Sequence, residues 1–597
     1  MTRRDSPGQS PREIDVRAWQ REIARSVETP WLLQALSARV TELLPHVARC
    51  QTQLDTLPRR ARRAWQRQLA RSAEVATLLS EWSYGRSGRA LQRQLARTVA
   101  GAALLLALTG VGDAATITVT TNKPAINDGD HKCSLIEAIV NANDGAGTYS
   151  DCAAGSGPSN TIVLPKATFT LTTAITDPTY YDAGLPPITT PIIIEGNGAK
   201  IVRKATAPPF RLATVTASGD LTLRDVTLSG GNSVFGGAVH SAGALTIENS
   251  EISNNDAAYL GGGISIEGGT LTIESSTISG NTVGKGGQLA AGGGIAALAG
   301  TVTITNSTIS RNQALATYLN AAAGIGNDGA TMIIDRSTIS ANKAGGEASS
   351  GGGISNYGDL TITNSTISGN KAVGKYANYG GGIDHLNGML TIRNSTISKN
   401  KAGSVDAAGG GIYTDAPASI ENSTISGNKA NGKYGSGGGI YNTYTLTIKN
   451  ATITGNKAGP KFGYGGGIGS EGTLTLERTL ISGNKGGIGR ELYNYAGTVT
   501  ADNFNLFGSK GASGTAGFSP AAGSTDIVPS VPTANILKSL ADNGGPTKTH
   551  ALKVGSPAVD AVPNTNPACD GSGTDQRGIA RPQPPGGNCD IGAFERE

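Results

Sequence analysis

The stretch LTITNSTISGN, residues 360–370, decides the fold. Leu360 and Ile362 alternate with Thr361 and Thr363, which is the period of a half-buried strand. Ile367 between Thr366 and Ser368 starts a second strand, and Asn364 and Ser365 form a bend between the two. The unit begins again at Leu245, Leu271, Val302, Met332, Leu390, Ala418, Leu446 and Leu474, at spacings of 26 to 31 residues. A near-constant period of this size marks a solenoid. A second signature, GGGI, recurs at Gly261, Gly292, Gly351, Gly380, Gly409, Gly437 and Gly465 and predicts a third short strand per turn. Helical solenoids of similar period need Ala/Leu-rich segments, which these coils lack. The expected fold is all-β, a parallel β-helix with three short strands per coil of about 28 residues.

Stacked coils sit roughly 4.8 Å apart, so equivalent residues form columns. The eighth position of the unit is Ile in all nine clear copies, which predicts the core. The eleventh is Asn in all nine: Asn255, Asn281, Asn312, Asn342, Asn370, Asn400, Asn428, Asn456 and Asn484. Such a column reads as a structural ladder, each amide bonding the next, rather than as a ligand array.

Outward from the array, the chain changes character. It has 597 residues, 85 of them Gly, with only 16% charged. Low charge argues against disorder, and Gly without a three-residue period excludes collagen. Residues 1–97 hold 18 Arg and 9 acidic residues, a net of +9 in a chain of net +5, so the remainder carries −4. This leader reads as α-helical and basic, and any membrane contact is expected through it alone. No groove-reading motif points to nucleic acid, least of all for the β-helix. Residues 98–115 resemble an export signal, with an apolar run and small residues before Ala114. The alternative is an uncleaved anchor with a helical head. Cys133 and Cys152 lie 19 apart and Cys569 and Cys589 lie 20 apart, flanking a Cys-free middle, which suggests two local disulfides made outside the cytoplasm. Neither pair has zinc-site spacing, and no metal site is expected.

GGGI paired with ISGN resembles the repeats of polymorphic outer-membrane proteins, with Ile in place of their Phe. Cys133-Ser134-Leu135-Ile136-Glu137-Ala138 resembles the CSLREA motif of bacterial surface β-helix proteins, with Ile136 replacing the usual Arg. Four tail segments resemble the choice-of-anchor Q module: Asn543-Gly544-Gly545-Pro546, Gly555-Ser556-Pro557, Thr574-Asp575-Gln576-Arg577-Gly578 and Cys589-Asp590-Ile591-Gly592. The resemblance implies an exported, cell-surface or secreted protein, adhesin-like and monomeric, without a defined reaction. With the crossover preference, it implies a right-handed helix. The domain plan is then a leader (1–97), a signal-like segment (98–115), an N-terminal cap with first coils (116–205), β-helix repeats (206–509) and a C-terminal cap (510–597). In that cap Asp575, Arg577 and Asp590 are expected to form a buried ionic knot.

Function is expected in the segment between the ladder Asn and GGGI, which varies most in length. Lys371, Lys401, Lys429 and Lys457 follow ladder Asn residues, and Tyr376, Tyr379, Tyr434 and Tyr464 are interleaved. Cations with aromatic rings suit carbohydrate, an anionic glycan above all, or a matrix partner surface. The competing reading is a solubilising lysine stripe. The alternative function is a polysaccharide lyase or glycoside hydrolase acting on acidic polysaccharide, with Asp384, His385, Asp415 and Glu421 as weak catalytic candidates. No cofactor is expected, apart from calcium if the chain is a lyase. A third class, ice binding by the Thr-Ile-Ser hydroxyls, is disfavoured by unequal coil lengths.

Overall fold

The computed structural model describes residues 114–176, 182–459 and 463–597. The expected helical leader, the apolar segment up to residue 113 and Cys50 lie outside them. Among the described residues, no helix is long and apolar enough to cross a membrane.

The chain winds into a parallel β-solenoid with sheets of 25, 13 and 12 strands, here called A, B and C. Sheet C takes one strand from each of twelve coils, and Thr116–Thr118 and Asn160–Val163 stack ahead of them in sheet A alone. A representative coil contributes Leu360–Thr363 and Thr366–Ser368 to sheet A, Lys371–Ala372 and Ala377–Tyr379 to sheet B, and Ile383–His385 to sheet C. This coil has five strands where three were expected, while the coils beginning at Thr445 and Thr473 keep to three. The first run is split because Asn364 takes φ 50°, a left-handed bend that Asn tolerates. Sheet B is split by a loop at residues 373–376. Where no loop intervenes, one strand, Asp256–Leu260, runs straight through.

Leu360, Ile362, Ile367 and Ile383 are fully buried and join one continuous core. Four such side chains contribute about 8 kcal/mol of burial per coil. The Asn ladder forms as expected. Asn370 N–H and its Nδ2 both donate to Asn400 Oδ1 at 3.0 Å, and Nδ2 also donates to Ile339 O at 2.9 Å. The rungs repeat from Asn255 to Asn484. Glu491 ends the ladder: its carboxylate accepts Asn484 Nδ2–H at 2.7 Å and Gly483 N–H at 2.9 Å. The two sequence signatures prove to be one device. A Cβ on Gly382 would lie 3.0 Å from the Asn400 amide and 2.7 Å from Gly411 O, so the third Gly of GGGI is the floor on which the next rung rests.

At the N-terminal end, helix α1 (Leu135–Asp144) covers the core with Leu135, Ile136, Ala138, Ile139 and Ala142. Ser134 and Glu137 form a reciprocal capping box that starts it. Cys133–Cys152 is bonded, as is Cys569–Cys589.

The C-terminal segment departs from its expected role. The stack runs on to Thr515–Ala516, beyond the expected limit at 509. Later residues then fold back along the flank rather than simply closing the end. They lie on the outward Thr/Ser face of sheet A. Thr396 Oγ1 donates to Lys548 O at 2.6 Å, Thr424 Oγ1 to Gln576 Oε1 at 2.6 Å, and Ala593 N–H to Thr452 Oγ1 at 3.0 Å. The tail has a small core of its own around Ile536, Leu552, Val562 and Ile591. Its ionic knot forms with two additional members. Arg577 pairs with Asp575 at 2.9 Å, Arg581 with Glu595 at 2.9 Å, and Asp590 accepts the backbone N–H of Asp560 and Arg596.

Candidate functional site

Two surfaces carry chemistry, and both follow from the order of residues around a coil. The first is on sheet B. Lys343, Lys371, Lys401 and Lys429 stand in register on successive coils, and isolated bridges extend the column to Lys457 and Lys485. The Ala after each of the first five is fully buried, so alternation points every one of those lysines outward. Like charges placed directly opposite one another destabilise a sheet. At this spacing each adjacent pair costs about 0.5–1 kcal/mol in water. The lysines that do form ion pairs among the described residues, Lys285 and Lys449, lie elsewhere.

The loops beside this column present Tyr376 and Tyr434, both about half exposed. Lys375 Nζ lies 4.8 Å from the Tyr376 ring centroid, and Lys433 Nζ lies 5.0 Å from that of Tyr434. Phe462 lies outside the described residues.

The second surface begins where the loop ends. Past Tyr379 the chain bends through Gly380, at φ +56°, into sheet C. Ile383 faces the core, so Asp384 faces out. In register with Asp384 stand Ser355 on the preceding coil and Tyr413 on the next, followed by Tyr441. Two residues further along each strand runs a second outward column: Asp328, Tyr357, Leu386, Asp415, Thr443 and Glu471. Its register is held by N–H bonds such as Asp415 N to His385 O at 2.8 Å. Side chains from the two sides of the glycine bend converge. Tyr379 meets Tyr413 with centroids 5.1 Å apart, and Tyr464 meets Tyr493 at 4.8 Å. Groups from the two sides of the bend pack against one another, so a corner, here called the trough, runs along the coils and is filled by the buried side chains of Asp384, Tyr379, Tyr413 and Tyr441. Gly469 fits the same pattern, because a Cβ there would meet the Tyr441 ring at 2.9 Å.

The trough is acidic and aromatic. Asp384 is fully buried, and neither carboxylate oxygen has a hydrogen bond of ordinary geometry. Burial pushes its carboxyl up to about 7, against an opposite pull from the Ser350 hydroxyl, with the Asp415 charge one coil on a lesser raising cause. The Ser355 hydroxyl beside it is likewise buried without a partner. Burial also raises Asp328 to about 7, and it raises the Tyr357 hydroxyl together with the charges of Asp384 and Asp328. Asp415 accepts a hydrogen bond from Thr443 Oγ1, and Glu471 accepts one from the Tyr441 hydroxyl.

The structure therefore divides the residues singled out in the sequence. Lys371, Lys401, Lys429 and Lys457 form one face, with Tyr376 and Tyr434 at its loop tips. Tyr379 and Tyr464 turn into the trough instead. Asp384 and Asp415 share that trough, one coil apart. His385 does not join them. It points inward, in a second buried polar column, where Nδ1 meets Asn356 Nδ2 at 3.0 Å and Nε2 meets Pro417 O at 3.2 Å. Burial lowers it to about 4, so it is a neutral structural group rather than a catalytic one. Glu421 lies on sheet A, paired with Arg393 at 3.2 Å on a solvated face. Sequence reasoning missed Asp328, Tyr357, Tyr413, Tyr441 and Glu471. The signal was available: the residues one and three places after each GGGI vary in a unit that otherwise hardly varies.

A family-model match agrees with this architecture. Residues 213–387 match the family model described as a right handed beta helix region. Among solved structures, the crystal structure of pectate lyase Pel9A is similar, at 17% identity and TM-score 0.34, over 82% of this chain and 98% of that one. No curated protein matches the chain.

Proposed function

We propose that the chain is an exported β-helix scaffold that binds an anionic polysaccharide along its lysine column. The observation that carries this reading is the column itself. Six lysines stand in register, each adjacent pair at a cost, on a rigid ladder whose inner face is closed by alanines. A linear polyanion would relieve that repulsion and match its geometry, since charge on the polymer also repeats along a line. The half-exposed Tyr376 and Tyr434 flank the column as ring faces for sugar. The two disulfides support export, because such bonds persist in oxidising compartments.

The test is retention of the full-length chain on immobilised polygalacturonate against a neutral polymer, eluted with salt. Retention on the polyuronate alone, released near physiological ionic strength or above, is expected. Replacing Lys371, Lys401, Lys429 and Lys457 together with Gln should weaken binding about 30-fold or more at low salt, at roughly 0.5 kcal/mol or more per exposed charge contact. Equal retention on both polymers, or an unaffected quadruple variant, would return the column to the role of a solubilising stripe.

A further inference from the structure

From the spacing of its exposed tyrosines, we infer that sheet B is selective for linkage: beside the lysine column it carries a row of rings fitted to a β-1,4-linked polysaccharide, whose sugar rings turn over at each step. The inference deepens the glycan-binding reading of that column and rests on it.

Tyr318, Tyr376 and Tyr434 are 49%, 50% and 46% exposed. They fall on every second coil. Glu347 N–H donates to Tyr318 O at 3.1 Å and Tyr376 N–H to Glu347 O at 2.8 Å, so one coil lies between the first two. Asp406 N–H donates to Tyr376 O at 2.9 Å and Tyr434 N–H to Val405 O at 3.4 Å, so one coil lies between the next two. Tyr259, also about half exposed, keeps the rhythm two coils before Tyr318, in register with Asn320. With coils roughly 4.8 Å apart, the rings recur about every 9.6 Å along the axis. The fold sets no such rhythm: the ladder, the Ile core and the lysine column all repeat at every coil. A two-coil rhythm of exposed rings therefore matches something outside the fold.

The row stands close to the lysines. Followed back through the coils, the registers of Lys371 and Ala377 fall at Asp256 and Ala258 of the loop-free strand. Two residues of strand span about 7 Å. The loop that carries Tyr376 thus rises directly beside the column, and Lys375 and Lys433 hold further charge against the rings. A sugar packs its C–H face on an aromatic ring. In a chain of pyranose rings joined β-1,4 through equatorial bonds, each ring is turned over relative to the last and advances by about one coil spacing. The same face returns at every second ring, in step with the tyrosines. Carboxylates along one edge of such a ribbon return at the same interval, so each meets two lysines of the column. An α-1,4 chain joined through axial bonds winds out of line and keeps step with neither.

The experiment compares retention of the full-length chain on immobilised poly-β-1,4-mannuronate and on polygalacturonate, which is α-1,4-linked and carries the same charge per sugar. Binding to the mannuronate is expected to be about 10-fold tighter or more. Tyr376→Ala should weaken it about 5-fold, the effect of returning about 40 Å² of ring surface to water, and leave polygalacturonate unaffected. Tyr376→Phe should bind as the parent does, since the ring and not the hydroxyl makes the contact. The sharpest variant combines Tyr376→Ala with Val405→Tyr, which keeps the number of rings and breaks their spacing. It should bind no better than Tyr376→Ala alone. Equal retention on the two polymers, or full recovery by the shifted tyrosine, overturns the inference and leaves the lysine column's role standing. Retention on neither polymer overturns both.

Discussion

The Asn ladder and the outward columns of sheet C run parallel through the same coils and obey opposite rules. The ladder is the same residue nine times over, buried, with each amide hydrogen-bonded to the next and the last to Glu491. The column containing Asp384 reads Ser355, Asp384, Tyr413, Tyr441 and Gly469 over five successive coils, and at Asp384 it leaves buried oxygens with no partner. A column whose job is to hold coils together improves with every identical rung. A column whose job is to meet a ligand has no reason to repeat, because each coil presents a different part of the site. In a solenoid, departure from the repeat therefore carries the functional information.

If this contrast is sound, the ladder should be the most sensitive place to strike. Asn400→Ala strands the Asn370 backbone N–H, one Asn370 Nδ2–H and the Ile367 carbonyl. Buried groups left unsatisfied cost about 1–3 kcal/mol each, so the loss should be about 5 kcal/mol, read as a lowered urea midpoint. A shift under about 1 kcal/mol would mean that rungs act independently of their neighbours.

The irregular column should respond to pH instead. Burial raises Asp384 and Asp328 to about 7 from an ordinary value of 3.8, so the folded chain binds those protons more tightly than the unfolded one. Their contribution is complete below about pH 4 and is lost as pH rises towards 7. It amounts to at most about 4 kcal/mol for each group. Burial sets the Asp384 value first, then the Ser350 hydroxyl and the Asp415 charge, and the Asp384 charge in turn raises Tyr357. Asp384→Asn should flatten its share of the profile between pH 4 and 7 and leave the rest unchanged. An unchanged slope would place solvent in the trough.

Glu491 sharpens the comparison from the ladder's own end. There the repeat stops and a carboxylate replaces the next amide. Glu491→Gln keeps the shape but turns one acceptor oxygen into a donor facing either the Gly483 N–H or the Asn484 N–H. A loss of about 2 kcal/mol is expected by urea unfolding, smaller than for Asn400 because the last coil has no further rung to disturb.

How much of this was legible in the sequence follows the same division. Periodicity showed the ladder, the Ile core and the glycine signature, because each is a local rule repeated many times. The bend that splits sheet A was also visible, as Asn followed by Ser. The return of the tail was not. Its contacts, such as Thr396 with Lys548, join residues 152 apart through single hydrogen bonds to a face that looks the same on every coil. Nothing local distinguishes the coils at Thr396, Thr424 and Thr452, which the tail covers, from those at Thr277 to Thr366. The trough was hidden for a related reason. Asp384 and Asp415 could be picked out as acids near equivalent places, but their shared corner depends on the direction of the glycine bend, which spacing does not encode. His385 was misread because its sequence position, one past Asp384, places it on the inner face by simple alternation.

The lysine column tests the contrast most finely, because it is uniform like the ladder yet exposed like a binding surface. If uniformity always served stability, removing one lysine should weaken the fold. Repulsion between register neighbours predicts the reverse. Lys401 faces Lys371 on one side and Lys429 on the other. Lys401→Gln relieves two like-charge contacts and should raise stability by a few tenths of a kcal/mol at low salt, with the gain vanishing as salt screens the column. The same change should weaken retention on polygalacturonate about two-fold, in line with one exposed charge contact. Opposite signs in the two measurements would identify the column as one kept for a partner at the expense of the fold. A loss of stability on substitution would instead mean that the lysine stems pack along the coil edge, and that the column belongs with the ladder as structure.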